Sequence, residues 1–143
     1  MRRAVGLLAL SCLLAACSPS RSTVGGWDAA ALKTLADRAT TVCRARATQT
    51  PPRPFTTDGC SLSPDGSWQA CCVEHDIDYW CGGSADDRRR AHATLRTCIA
   101  DKSGSTLIGT LYYYGVRAGG PPWMPAPWRW GYGWPWPRGY TSP

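Results

Sequence analysis

Two adjacent side chains, His75 and Asp76, are the strongest chemical signal in the sequence. An imidazole is the commonest general base near neutral pH, and a carboxylate is a preferred ligand of hard cations such as Ca²⁺. Both groups cost free energy when they are buried without partners. The pair therefore predicts a site in which each side chain has a defined partner, and the surrounding elements indicate where those partners lie.

The helix that carries this pair is predicted over about residues 68–80. Its side chains form two stripes, Trp68, Cys71, Cys72, His75 and Tyr79 on one and Val73, Ile77 and Trp80 on the other. Apolar residues on nearly all sides are typical of a buried, central helix. Gly82 and Gly83 end this helix in a tight turn.

Another helix follows that turn and is predicted to run antiparallel to the first, because a short connection makes neighbouring helices antiparallel. Ser84, with Asp87 three residues later, predicts a capping box at its start. Its inward stripe is Ala91, His92, Leu95, Cys98 and Ile99. Arg88–Arg90 are interpreted as part of a solvated face, with contact to lipid phosphates as the alternative.

A trial pairing of Cys71 with Cys98 brings the two histidines of the sequence together. One turn on from Cys71 lies His75, and six residues back from Cys98 lies His92. With a rise of about 1.5 Å per residue, these shifts are about 6 and 9 Å, so the two rings could meet between the helices. Facing imidazoles are expected to titrate as a coupled pair, because protonating one disfavours charge on the other.

Asp76 is rotated by about 100° from His75 around the helix and is predicted to face the long segment 48–66. This segment contains four prolines and the turn signals Asp58-Gly59 and Asp65-Gly66, so it is predicted to be a loop. A carboxylate that faces loop carbonyls favours Ca²⁺ over Zn²⁺, since calcium takes oxygen ligands.

Two further helices complete the predicted fold. One runs from Asp28 to about Ala47, where apolar residues recur at helical spacing, and the other covers Thr106 to Val116. The sequence therefore predicts an all-α fold class, a small disulfide-stapled domain over residues 27–118 with two antiparallel central helices.

The sequence contains eight cysteines. Cys12 is expected to leave with a signal peptide and Cys17 to carry lipid, which leaves Cys43, Cys60, Cys71, Cys72, Cys81 and Cys98. An even number in a small exported domain predicts disulfides, with 15 possible connectivities. A zinc site is the alternative, but no two cysteines have the short two-residue spacing of zinc ligands.

The amino terminus has the layout of a secretory signal, with Arg2 and Arg3 before an apolar stretch. Its end, Leu14-Ala15-Ala16-Cys17, resembles a bacterial lipobox, so residues 1–16 are predicted to be a lipoprotein signal peptide and 17–26 a tether. An ordinary signal peptide with a chance cysteine is the alternative. Because Ser18 and not Asp follows the cysteine, we expect a lipid anchor in the outer membrane of a bacterial cell envelope, facing the periplasm.

The composition limits the kinds of partner that the protein is expected to bind. Without Arg2 and Arg3 the chain has 14 basic and 10 acidic residues, a net charge of +4, which is weak support for a nucleic-acid partner and compatible with an anionic phospholipid membrane. No apolar run reaches the ~20 residues of a membrane-spanning helix, and the length excludes a separate cofactor domain. We expect a monomer.

The tail, residues 119–143, is rich in Trp, Pro and Gly. Contact with a membrane interface and aromatic packing back over the helices are both open interpretations of it.

The stretch 58–99 resembles the secreted phospholipase A2 superfamily, particularly its group XII-like and bacterial branches. The matching residues are Asp58-Gly59-Cys60-Ser61, Cys71-Cys72, His75-Asp76, Tyr79, Cys81-Gly82-Gly83-Ser84 and Cys98, which cover under a third of the chain. The resemblance implies hydrolysis of the sn-2 ester of glycerophospholipids, with His75 as the general base. It also implies that Asp76 and carbonyls around Gly59, Ser61 and Ser63 hold Ca²⁺, which polarises the ester carbonyl and stabilises the oxyanion.

The same resemblance implies the disulfides Cys60–Cys72 and Cys71–Cys98, and Cys43–Cys81 is left by elimination. A further family bridge would join positions 78 and 91, which are Asp78 and Ala91, so both of its ends are absent together. The loop between Cys60 and Cys71 is shorter than the usual calcium loop and lacks its Gly-rich ending.

His92 is the main departure from the family pattern, because the family has an Asp there that orients the catalytic histidine. An imidazole can accept a hydrogen bond but supplies no negative charge, and loss of a triad carboxylate costs about 10⁴ in rate. Four interpretations stay open: a calcium-dependent phospholipase A2-type enzyme, an impaired relative that binds lipid, a metal hydrolase with His75, Asp76 and His92 as ligands, and a structural envelope lipoprotein.

Overall fold

A computed structural model describes residues 27–46, 51, 54–121 and 132, and its helical segments number four in that part of the chain. They are α1 (Ala29–Ala45), α2 (Gln69–Cys81), α3 (Ala85–Ser103) and α4 (Thr106–Gly119). The all-α fold class is confirmed. The predicted signal peptide 1–16, the tether 17–26 with Cys17, and the tail apart from 119–121 and 132 lie outside the described residues.

The helix starts follow from local capping. Asp28 accepts a hydrogen bond from the backbone N–H of Ala31 (2.9 Å) at the start of α1. Ser84 and Asp87 form the predicted capping box at the start of α3, in which each side chain accepts from the backbone N–H of the other. Gly104 ends α3 in the left-handed conformation, with φ of 68°, which glycine adopts without steric cost.

Helix α2 is the most buried element, with nine of its 13 residues buried. One side of it packs in a cluster with α1 and the loop, formed by Ala39, Cys43, Phe55, Ile77, Trp80 and Cys81. The other side belongs to a cluster shared with α3, formed by Cys60, Cys71, Cys72, Leu95 and Ile99. The predicted central position of this helix is therefore observed.

Helices α2 and α3 run antiparallel. Cys71 is bonded to Cys98, the rings of His75 and His92 lie 5.5 Å apart, and Tyr79 contacts Arg88. Residue numbers therefore rise along α2 as they fall along α3. The connection between the helices is only Gly82–Ser84, a short turn that agrees with this antiparallel arrangement.

Helix α4 packs closely against α3. Gly109 is the buried residue of α4, and a Cβ atom there would collide with the backbone carbonyl of Arg96. The other flank of α4 is tied to the loop, since Tyr112 donates a hydrogen bond to the carbonyl of Pro64 (3.1 Å) and accepts one from Trp68 (3.0 Å). Within the described residues, no helix is both long and apolar enough to cross a bilayer.

Three disulfides join the six cysteines that follow Cys17. They are Cys43–Cys81, Cys60–Cys72 and Cys71–Cys98, the pairs that the resemblance and elimination indicated. The first fastens α1 to the end of α2, the second fastens the loop to α2, and the third fastens α2 to α3. Sulfur atoms in these bonds are not available as zinc ligands.

We predict that peptide mapping under non-reducing conditions recovers these three linkages. Replacing Cys71 and Cys98 together by Ala should lower the free energy of unfolding by about 2–5 kcal/mol, because the bridge restricts the unfolded chain. Urea denaturation of the folded variant measures this loss. The matched control is a second variant, in which Cys43 and Cys81 are both replaced by Ala. Cys71 linked to Cys72, or six free thiols, would contradict this fold.

Candidate active site

His75 and Asp76 lie at the wall of one cavity of about 430 Å³. Both are buried, with 9% of His75 and 6% of Asp76 exposed. The cavity lies between the loop, α2, α3 and α4, and the predicted loop residues Gly59, Ser61 and Ser63 line it as well. The structure thus brings together all the sequence-predicted site residues in the described part of the chain except His92, which does not line this cavity.

The rest of the cavity wall is mainly apolar. Leu62 comes from the loop, Leu95 from α3, and Leu111 and Val116 from α4. Leu62 and Leu111 are also strongly exposed, at 85% and 63%, so they form part of the mouth. A polar pair at the inner wall of an apolar cavity is suited to a substrate with a hydrocarbon part and one reactive polar group.

Asp76 points to the loop, as predicted, and Thr57 is its partner there. The Thr57 hydroxyl donates to Asp76 Oδ2 (2.7 Å) and accepts from the backbone N–H of Gly59 (3.1 Å). Thr57 is fully buried. This residue therefore connects the α2 carboxylate to the segment of loop that lines the cavity, and a threonine in a proline-rich loop carries no sequence signal for such a role.

The loop after Thr57 is held in a tight turn. Asp65 accepts a hydrogen bond from the backbone N–H of Cys60 (2.8 Å), and its carboxylate occupies the space that a Cβ atom at Gly59 would fill. Gly59 has a φ of 79°, a conformation that favours glycine. Ser61 donates to Asp58 (3.0 Å). The turn thus presents backbone atoms of residues 59–63 beside Asp76.

Asp76 is the one carboxylate among the described residues that line the cavity. Among the residues that the structure describes, no group of three His, Cys, Asp or Glu side chains lies close enough to hold a metal. A cation at Asp76 would therefore need loop backbone or water oxygens as further ligands, and such a set suits Ca²⁺. His92 is not placed to join this set, because its Nε2 atom is engaged by Tyr79.

The two histidines meet between α2 and α3, as the trial pairing predicted. Their ring centres lie 5.5 Å apart, and the Tyr79 ring lies 4.4 Å from His75. His92 is fully buried, and its Nε2 atom is 2.6 Å from the Tyr79 hydroxyl. Tyr79 is therefore the direct polar partner of His92.

Several polar groups meet at the Tyr79 hydroxyl. Arg88 Nε donates to the Tyr79 oxygen (3.0 Å), and the carbonyl of Gly120 lies 3.0 Å from it as an acceptor. A phenol has one proton, which can go to this carbonyl or to His92 Nε2. The contact between Tyr79 and His92 is a hydrogen bond with either tautomer of the imidazole.

Arg88 corrects the sequence prediction of a solvated face. It is only 5% exposed, and its guanidinium donates to the carbonyls of Val116 (3.3 Å) and Arg117 (3.1 Å). These carbonyls belong to the last turn of α4, where the helix dipole favours a positive charge. Periodicity along α3 does not reveal this role, because the contact depends on where α4 ends.

The pKa of His92 is lowered to about 3, first by burial and then by the positive charges of Arg88 and Arg117. His92 is therefore neutral at physiological pH. The expectation that the two facing imidazoles titrate as a coupled pair stays a prediction, since burial and the two arginines account for the lowered pKa of His92.

No protein-family model, curated protein or solved structure matches the chain. The likeness to secreted phospholipases A2 rests on residues 58–99 alone. The fold adds the positions of the site residues: His75, Asp76 and residues 59–63 of the loop line one mainly apolar cavity.

We predict that His92 makes the fold less stable in acid. Since its folded-state pKa of about 3 lies below its unfolded value near 6.5, the unfolded chain binds a proton first as the pH falls. The free energy of unfolding should therefore fall by up to about 1.4 kcal/mol per pH unit between those values. Urea denaturation from pH 7 to pH 4 measures this slope.

His92→Gln is the matched variant for this test, because an amide can donate to Tyr79 but does not titrate. Its stability should depend less on pH than that of the wild type. Equal slopes in the two proteins would show that His92 is not the group responsible.

Proposed function

We propose that the protein is a calcium-dependent phospholipase A2-type hydrolase that releases fatty acid from the sn-2 ester of glycerophospholipids at a bacterial cell envelope. The observation that carries the proposal is the placement of His75 and Asp76 at the wall of an apolar cavity together with the loop 59–63. The four-helix, three-disulfide fold agrees with the small exported domain that the resemblance implies.

His75 is the proposed general base. It accepts a proton from the water that attacks the ester carbonyl carbon, and it returns a proton to the leaving alcohol. Its ring is held beside Tyr79 in a buried position, so its orientation is restricted before substrate binds. A restricted base loses less freedom on reaching the transition state.

Asp76 is the proposed carboxylate ligand of Ca²⁺, with backbone carbonyls around Gly59, Ser61 and Ser63. The oxygen-only donor set fits this ion, which when bound polarises the ester carbonyl and stabilises the oxyanion. Because one carboxylate supplies the charge, we expect a dissociation constant weaker than micromolar. Thr57 holds the carboxylate in its orientation.

A set of exposed apolar residues at and near the cavity mouth supports a lipid surface as the substrate. Leu62, Leu107, Leu111 and Tyr114 are each between 63% and 85% exposed. The last three follow one another on α4 at spacings of four and three residues, so they share one face of the helix. Two of the set, Leu62 and Leu111, also line the cavity, which places an apolar surface directly at its opening.

The lipobox-like end of the predicted signal would keep this domain at the membrane that holds its substrate. A lipid anchor on Cys17, followed by the tether 17–26, allows the domain to reach lipid without a membrane-spanning helix. The positive net charge would favour an anionic leaflet.

A second candidate function is lipid binding without turnover, and the uncharged state of His92 favours it. A neutral imidazole supplies no negative charge to stabilise a protonated His75. In this case Ca²⁺ and lipid would still bind, and hydrolysis would be absent. A structural envelope role without calcium would show neither binding nor turnover.

We predict that Thr57→Val weakens calcium binding by about tenfold, the loss typical of a group that orients a metal ligand. Thr57→Ser keeps the hydroxyl and should bind calcium like the wild type, whereas Asp76→Asn should abolish binding. Isothermal titration with CaCl₂ measures the three variants. If Thr57→Val binds as tightly as wild type, the hydroxyl does not orient Asp76.

Fatty-acid release from mixed phospholipid vesicles, with and without a chelator, tests the enzyme proposal. Hydrolysis should require calcium, vanish in Asp76→Asn and His75→Ala, and decline as acid protonates the base. Full activity in excess chelator would contradict the calcium mechanism. Binding of vesicles without hydrolysis would favour the second candidate function.

His92→Asp separates the two candidates. The positive charges of Arg88 and Arg117 that disfavour a protonated His92 would favour a carboxylate at this position. We therefore expect the variant to hydrolyse lipid faster than wild type, by a factor that can approach ~10⁴. His92→Asn, which has the same shape without the charge, should stay slow; a fast wild type that slows in His92→Asp would show that His92 itself has a positive role.

A further inference from the structure

Tyr132 belongs by sequence to the tail, yet it is one of the most buried large side chains, with 1% of its surface exposed. Its ring packs edge-to-face against Tyr79, with centres 5.1 Å apart and planes at 84°. Such a pair is a favourable aromatic contact. For Tyr132, the structure therefore shows packing back onto the helices.

We propose that Tyr132 is a positioning residue for His75 and acts through the ring of Tyr79. The proposal rests on the proposed function only in taking His75 as the base. Tyr79 is the residue between them, since its ring lies 4.4 Å from that of His75 and 5.1 Å from that of Tyr132.

The hydrogen bonds of Tyr79 fix the direction of its ring axis more firmly than the rotation of the ring about that axis. They meet at the hydroxyl oxygen, where Arg88, His92 and the carbonyl of Gly120 converge. This oxygen lies on the axis about which the ring rotates, so these bonds direct the axis more firmly than the ring plane. Rotation of a tyrosine ring about that axis has a broad energy minimum.

Side chains that lie beside the ring therefore contribute to setting its plane. Tyr132, His75 and His92 are in ring contact with Tyr79. If the Tyr132 ring is removed, Tyr79 can rotate into the vacated space, and the surface against which His75 packs changes. Burial raises the pKa of the Tyr132 hydroxyl, so this neighbour stays neutral throughout the working pH range.

Tyr132 is not among the described residues that line the cavity. Tyr79, through which it is proposed to act, does line the cavity. The orientation of the His75 ring is therefore the property that separates a positioning role of Tyr132 from a role in the stability of the fold alone.

The test compares Tyr132→Leu and Tyr132→Met, which remove the ring, with Tyr132→Phe, which keeps it. Leu35→Ala is the control for lost packing, because Leu35 contributes to the cluster on the α1 side of α2. Variants are compared under conditions where circular dichroism shows each to be folded. The readouts are kcat and KM on phospholipid vesicles, and the imidazole NMR resonances of His75 without substrate, assigned with His75→Gln.

Loss of the ring should lower kcat by about 10- to 100-fold, the cost of a slightly misplaced catalytic group. It should also shift the His75 resonances, and Tyr132→Phe should restore both. Ring-free variants that match Leu35→Ala in both readouts would overturn the proposal.

The NMR readout keeps this inference separate from the proposed function. If no protein hydrolyses lipid, wild type included, the enzyme proposal fails, and the His75 resonances still decide whether Tyr132 positions that ring. A shift that Tyr132→Phe reverses supports the contact chain, and unchanged resonances in both ring-free variants refute it.

Discussion

The disulfide between Cys71 and Cys98 sets the register in which α2 lies against α3, and the candidate site depends on that register. Both helices rise about 1.5 Å per residue in opposite directions, so one covalent pair determines the contacts further along. One turn on from Cys71, His75 meets His92 with ring centres 5.5 Å apart. A slip of one residue would rotate each side chain by about 100°, and these contacts would be lost together.

The Tyr79 hydroxyl links the α2–α3 pair to α4. It contacts His92 on α3 and the carbonyl of Gly120 just after α4, so a single oxygen joins three helices. Helix α4 is then tied to the loop through Tyr112 and Pro64. The cavity beside the candidate base is bounded by those same elements. These polar contacts therefore join the elements that form the cavity wall.

The helices could be predicted because their signals are local, whereas the meeting of the two histidines follows from the trial pairing of Cys71 with Cys98. Ser84 caps α3 through residues within one turn, and apolar stripes identify inward faces from spacing alone. Thr57, Arg88 and Tyr132 could not be found in this way. Each has its role through a partner distant in sequence: Thr57 through a carboxylate 19 residues on, Arg88 through carbonyls at the end of α4, and Tyr132 through a ring on α2.

In the proposed enzyme, the charge of residue 92 affects how well a protonated His75 is stabilised. Burial and the nearby charges of Arg88 and Arg117 keep His92 neutral. Arg88 in turn is directed at carbonyls of the last turn of α4, which compensate its charge through hydrogen bonds and the helix dipole. The Nδ1 atom of His92 is buried without a hydrogen-bond partner among the described residues. In the proposed enzyme, the contacts around Tyr79 would orient His75, but His92 would add no negative charge to stabilise its protonated form. One carboxylate at position 92 would supply both effects.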